Sequence, residues 1–273
     1  MCGRFTKLTY EEVVNVIGHV EYGNPIDVGL FERGSNAAAL DGNGRSSRDA
    51  YPGSVAYVIV PRAQLSEQGF ENEESSLETN ANASELVPMK MNWGFSVSWN
   101  DNPVFNTRIE TALTSKMWSE SIQNRRCIVP TLGFYESHSS EQTYSSISGR
   151  KIKRPYKFNI GESDLPVTFL GGIWKDGCFS IMTTEPNDVV SQVHNRMPLV
   201  LRPGEIEEWL EGDFMSLVDR SNVELVSQGI GKLAGHAPYK AGGKSANRAG
   251  GRPTHGNSDK KGSGGEPEQL SLF

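Results

Sequence analysis

Apolar residues in this chain fall in short runs separated by long polar stretches. Val55–Val60, Arg126–Val129, Val167–Leu170, Phe179–Met182 and Pro198–Leu201 have the length and β-branched or aromatic content of strands. Helical patterns are fewer. Thr9–Val20 and Ile109–Gln123 show mixed periodicity, while Pro203–Leu210 opens with Pro and acidic residues and closes on Trp209 and Leu210, a short-helix signature. Many strands, few helices and no alternating βα series predict an α+β fold around a mixed, barrel-like sheet. Three stretches, Gly34–Ala50, Ala63–Pro88 and Ser137–Arg154, carry no apolar period and are expected to be exposed insertions without regular structure. From His236 the composition shifts to Gly, Ser, Lys, Asn and Pro, so the chain divides into one domain over 1–235 and a flexible tail over 236–273.

Composition adjusts this picture modestly. The 273 residues are 36% hydrophobic and 22% charged, enough for one large core or two small ones. No apolar run reaches the ~20 residues of a membrane helix and no signal stretch opens the chain, so a cytoplasmic, monomeric protein is expected, with no membrane partner. The net charge of −6 argues at first against nucleic acid, but six Glu and no Lys or Arg lie between Ala63 and Pro88, and the rest of the chain is balanced. Local sign matters more than the total for binding DNA. Cys2, Cys127 and Cys178 are too scattered for a disulfide framework or zinc site, and no metal or organic cofactor is expected.

Cys2 follows the initiator Met, and a small second residue permits Met removal. One residue then carries a free α-amine and a β-thiol, with ordinary pKa values of roughly 8 and 8.5. An amine condenses with an aldehyde to an imine, and a neighbouring thiol closes a five-membered thiazolidine. An internal cysteine cannot do this, because its nitrogen is an amide.

Several motifs share an order. M-C-G-R-F opens the chain, W-G-F stands at Trp93–Phe95 and N-T-R-I-E-T at Asn106–Thr111. R-C-I-V-P-T-L-G-F-Y-E spans Arg126–Glu136, G-G-I-W spans Gly171–Trp174, and H-N-R-M-P spans His194–Pro198. In this order and spacing the set resembles the SOS-response-associated peptidase (SRAP) family, whose members crosslink to abasic sites in single-stranded DNA. The resemblance runs from Met1 to about Leu233. It implies that Cys2 is the nucleophile and that Asn106 positions the N-terminal residue. It also implies that Glu136 and His194 are the site's carboxylate and histidine. Arg4 and Arg108 match phosphate-binding positions, and Trp93–Gly94 match a loop supporting separated bases. Arg126 is a further candidate phosphate ligand, and Trp93 a candidate wedge beside the lesion. A carboxylate and an imidazole also suit the proton transfers that open the closed sugar of an abasic site. Taken singly, each residue has a plainer reading: Glu136 as a surface carboxylate, His194 as a structural histidine, Arg108 as a partner of Glu110, Trp93 as core. The chain departs from the family's pattern at Ser137, where Trp is common, at Thr107, where Ala is usual, and around Tyr51–Pro52–Gly53.

Two other functions share these residues. A thiol autopeptidase or N-terminal-nucleophile amidase would use Cys2, Asn106, Glu136 and His194 for amide cleavage. A clamp-recruited DNA adaptor would need none of that chemistry. Recruitment has its own signal: Gln269, Leu270, Ser271, Leu272 and Phe273 resemble the peptide by which bacterial replication and repair proteins bind the sliding β clamp. Gln269 offers an amide and Leu272–Phe273 paired apolar anchors. The tail before them would act as a tether.

Overall fold

A computed structural model of the chain describes residues 2–36, 38–40, 46–66, 85–161 and 165–234. The peptide Gln269–Phe273, the tail from His236 and most of the acidic stretch (67–84) lie outside the described residues.

The architecture is α+β, built on one large mixed sheet. Strand Arg126–Tyr144 pairs with Thr168–Lys175, which pairs with Cys178–Thr184. Cys178–Thr184 runs parallel to Leu86–Trp93, which pairs with Val55–Pro61. Val55–Pro61 returns to Arg126–Tyr144 through Ile59 opposite Ile128, so the pairings form a closed cycle. Strict alternation along these strands sorts their side chains to two sides. Val58, Val60, Cys127 and Val129 pack with Phe5, Trp93, Phe134 and Phe179; Ile59 and Ile128 pack with the helices, against Val13, Val16, Ile122 and Trp209.

The N-terminal strand Arg4–Lys7 is fastened to this core. Phe5 is fully buried, edge-on to Trp93 at 4.8 Å between ring centres. Burial of such a ring is worth about 1.5–3 kcal/mol, and pairing to Arg126–Tyr144 on one side and Asp49–Ala50 on the other completes the hold on the four-residue strand. The expected helix Thr9–Val20 is the helix Tyr10–Tyr22. Thr9 is its N-cap in a reciprocal box with Glu12, and Gly23 closes it at φ 66°. Glu12 is also gripped by Arg48 at 2.7 Å in a buried ion pair. Arg48 is thereby locked to the helix while its neighbour Asp49, in the short strand Asp49–Ala50, faces Arg4.

Four sequence expectations need correction. Ser137–Arg154 is not irregular. Strand Arg126–Tyr144 and strand Lys151–Ile160 run through it as a hairpin. Its polar composition hid the strands because both faces are largely exposed, so no alternation is required. Ile109–Gln123 is two short helices, Ile109–Ala112 and Ser119–Asn124, rather than one. Gly34–Ala50 holds the end of the helix Val28–Asn36 and the strand Asp49–Ala50. Ala63–Pro88 holds most of the helix Arg62–Ser66 and the start of the strand Leu86–Trp93. Pro203–Leu210 forms as read, a 3₁₀ turn Pro203–Glu205 leading into the helix Ile206–Leu210.

Candidate active site

Strand pairing brings the motifs together. Arg4 lies opposite Tyr135 and Phe5 opposite Phe134, so the residue two before Arg4 is carried toward Glu136. Glu136 in turn lies opposite Tyr156 on the next strand. Asn106 begins a strand, Asn106–Arg108, that runs parallel to Cys178–Thr184. Its Nδ2 donates to the Cys2 carbonyl at 2.8 Å. The Asn106 Oδ1 is buried with no hydrogen-bond partner among the described residues. His194 follows the short helix Asp188–Ser191, which Asn187 caps, and the His194 N–H donates to Val190 at 2.8 Å. Its Nε2 stands 4.0 Å from Glu136 Oε2.

A cleft of about 500 Å³ opens here, lined by Arg4, Tyr51, Glu136, Ile152, Lys153 and His194 among others. Cys2 is fully buried, and its thiol donates weakly to the Arg4 carbonyl at 3.5 Å. Burial, reinforced by the Glu136 charge, pushes that thiol well above the usual range. Glu136 is also buried, which raises its carboxyl to about 7; the amino-terminal charge pulls the other way. Burial depresses His194, with further depression from the amino-terminal charge and Lys153. Near neutrality the site therefore holds a thiol rather than a thiolate, a carboxyl at its titration point and an imidazole favoured in its neutral form. That arrangement passes protons easily and does not activate sulfur directly.

Arg4 extends one wall of the cleft. Its guanidinium bonds Asp49 at 2.7 Å and sits 4.0 Å from the Tyr135 ring centre, while its buried Nε has no partner among the described residues. Arg108 is exposed. Two candidates for DNA contact are placed elsewhere. Arg126 is buried, its guanidinium spent on the carbonyls of Ile122, Leu210 and Gly212, so it has no fork left for phosphate. Trp93 is fully buried, donating to the Phe105 carbonyl at 2.9 Å and packed between Phe5, Phe105 and Phe179; it is a core residue, not a wedge. Gly94 follows it at φ 110°, where a Cβ would strike Pro103, and its N–H donates to Phe179. This turn launches the hairpin Phe95–Val104, whose Trp99 is 72% exposed. Of the other cysteines, Cys127 is buried and Cys178 half-buried.

Sequence reasoning missed what holds two of the motifs together. Arg196 grips Glu110 in a bidentate pair at 2.8 and 2.9 Å, with further bonds to Glu185 and the Thr183 carbonyl. Glu110 is thus the partner of Arg196, not of Arg108. The N-T-R-I-E-T and H-N-R-M-P segments share one ionic joint, and the charges of both motifs were its signal.

A family model described as SOS response associated peptidase (SRAP) matches residues 1–228. The chain belongs to the SRAP family. Among its curated relatives is the abasic site processing protein YoqW of Bacillus subtilis, 28% identical over 134 residues, 44% of this chain and 56% of that protein. YedK of Escherichia coli, also named an abasic site processing protein, is 31% identical over 43% of this chain and 52% of its own length. HMCES of Gallus gallus, of the same name class, is 26% identical over 68% of this chain and 59% of its own. The chain thus spans a little over half the length of the curated relatives it matches. An X-ray structure of a protein from Bordetella bronchiseptica shares the fold, with a TM-score of 0.52 at 16% identity over 84% of this chain and 99% of that one. As an SRAP chain, this protein lines its cleft with Arg4, Glu136 and His194, holds the buried Cys2 from behind through Asn106, and sends Trp93 and Arg126 into the core.

Proposed function

We propose that this protein processes abasic sites in single-stranded DNA by capturing the open-chain sugar aldehyde on Cys2 after loss of Met1. The observation that carries the reading is the meeting of Asn106, Glu136 and His194 around the Cys2 backbone at a cleft edged by Arg4. The Cys2 amine attacks the aldehyde carbon. Glu136, as the neutral acid, donates a proton to the hydroxyl that leaves as water, giving the imine. The Cys2 sulfur then adds to the imine carbon, and its proton passes to the ring nitrogen. His194, 4.0 Å from Glu136, relays protons for sugar opening and for the reverse reaction. Sulfur reacts last, as a thiol, which suits its burial; a thiol peptidase would need a thiolate at the first step, and the surroundings of Cys2 oppose one. Arg4 and Arg108 hold phosphates, and the exposed indole of Trp99 supplies the stacking surface that Trp93 does not.

The test is direct. Protein incubated with a single strand bearing one abasic site should form a heat-stable adduct. Its mass should equal Met1-free protein plus DNA minus one water. An adduct on any residue other than Cys2, or none at all, overturns the reading. Recruitment through Gln269–Phe273 is a separate element of the proposal. The full chain should bind a bacterial β clamp at least tenfold more tightly than a chain ending at Glu268; equal calorimetric affinities would remove the clamp.

A further inference from the structure

The hairpin formed by Arg126–Tyr144 and Lys151–Ile160 reaches well past the residues the chemistry uses. Its outer part is firmly built. Ser145 N–H donates to the Arg150 carbonyl at 2.8 Å, Gly149 N–H returns to the Ser145 carbonyl at 2.9 Å, and Gly149 takes φ 64°. Thr143 bonds the Lys232 carbonyl at 2.7 Å, and strand Leu225–Gly229 pairs along Tyr156–Ile160. Glu141 is its one carboxylate beyond Glu136, and that group is engaged by Tyr156 at 2.7 Å and Arg154 at 3.1 Å. Arg150, Lys151 and Lys153 remain exposed, interleaved with Tyr144 at 59%, Ile147 at 57% and Ile152 at 41% exposure. Ile152 and Lys153 also line the cleft that holds Glu136 and His194, so the basic, partly aromatic face continues the site without a break.

We infer that this hairpin is a second DNA-contacting arm, which tracks the single strand where it continues beyond the cleft. The inference rests on the reading of the cleft as a site for single-stranded DNA. Three lines converge on that occupant: charge complementarity to a phosphate backbone, a tyrosine for a base to stack on, and continuity with the cleft. Arg154 takes no part, because its guanidinium is committed to Glu141 and packs against Gly229.

The test uses intact single strands with no abasic site, so that covalent chemistry does not enter. Binding of the full chain is measured against oligonucleotide length and salt, alongside Tyr144→Ser/Arg150→Gln/Lys151→Gln. The wild-type chain should gain affinity as the strand lengthens from about 6 to about 15 nucleotides, and the variant should lose most of that gain. At full length the variant's slope of log affinity on log salt should be shallower by about 1.4, the share of two phosphate contacts on a single strand. Affinity should fall roughly tenfold or more near 0.1 M salt. Arg150→Lys/Lys151→Arg should restore the slope, which separates charge from folding. Equal length dependence and equal slope in variant and wild type would overturn the arm. If the arm behaves as described while no adduct forms on abasic strands, the covalent reading fails and the arm stands.

Discussion

Cys2→Ala should form no heat-stable adduct with abasic single-stranded DNA, a loss of at least about 10³-fold, while still binding the intact strand. Removing one buried sulfur from a packed site typically costs about 1 kcal/mol, so the variant should fold. Alanine keeps the amine and forms the imine, but has no sulfur to close the ring, and imines hydrolyse on heating. Cys2→Ser should give a weaker product, because a hydroxyl adds to an imine less readily than a thiol. A chain whose first residue is blocked from removal should behave like Cys2→Ala despite its intact thiol, since its Cys2 nitrogen is an amide. Denaturing electrophoresis with intact mass measurement reads all three, and full crosslinking by the blocked chain would end the mechanism.

Glu136→Gln should slow adduct formation by about 10²–10⁴-fold and at the same time stabilise the protein at alkaline pH. The sign follows from the raised carboxyl. In the folded chain Glu136 titrates near 7, against an ordinary value of 4.5. Between those values the folded state holds a proton the unfolded state has lost, so stability falls as pH rises from about 4.5 to about 7. It stays low above that window. The shift corresponds to a deficit of about 3 kcal/mol at pH 8. Glutamine carries no charge and escapes it. Urea unfolding should therefore place the variant above wild type at pH 8 and close to it near pH 4. Wild-type crosslinking should also decline above about pH 7 as the acid deprotonates. Equal stability at both pH values would mean that Glu136 is solvated and not a tuned acid.

The central strands were legible because they lie at the heart of a sheet and must be apolar. Val55–Pro61, Thr168–Lys175 and Cys178–Thr184 announced themselves through runs of Val, Ile and Phe. The hairpin through Ser137–Arg154 did not, because its residues answer to solvent on both faces and its register is set by Tyr156, Arg154 and Glu141. Among the site residues, Asn106, Glu136 and His194 could be named from motif order alone. The fates of Trp93 and Arg126 could not. Whether an indole or a guanidinium faces the core or the ligand depends on which side of a twisted strand it occupies, and motif matching carries no such information. Trp99, the exposed indole, sits only six residues from the buried one.

The seating of Arg4–Lys7 on a strand made about 120 residues later orders events during synthesis. Arg4–Lys7 finds its partners at residues 131–135, and Cys2 is held by Asn106. Until the ribosome has made those partners the amino-terminal strand has only the two-residue strand Asp49–Ala50 and the Trp93 ring to pack against. At about 5–20 residues per second, some 125 residues take roughly 6 to 25 s. During that interval the terminus is open to an aminopeptidase, and afterwards Cys2 is packed at the back of the cleft. Under the proposed chemistry, exposure of the Cys2 amine is thus a race against the seating of this strand. A chain refolded from denaturant with Met1 still attached should resist later trimming.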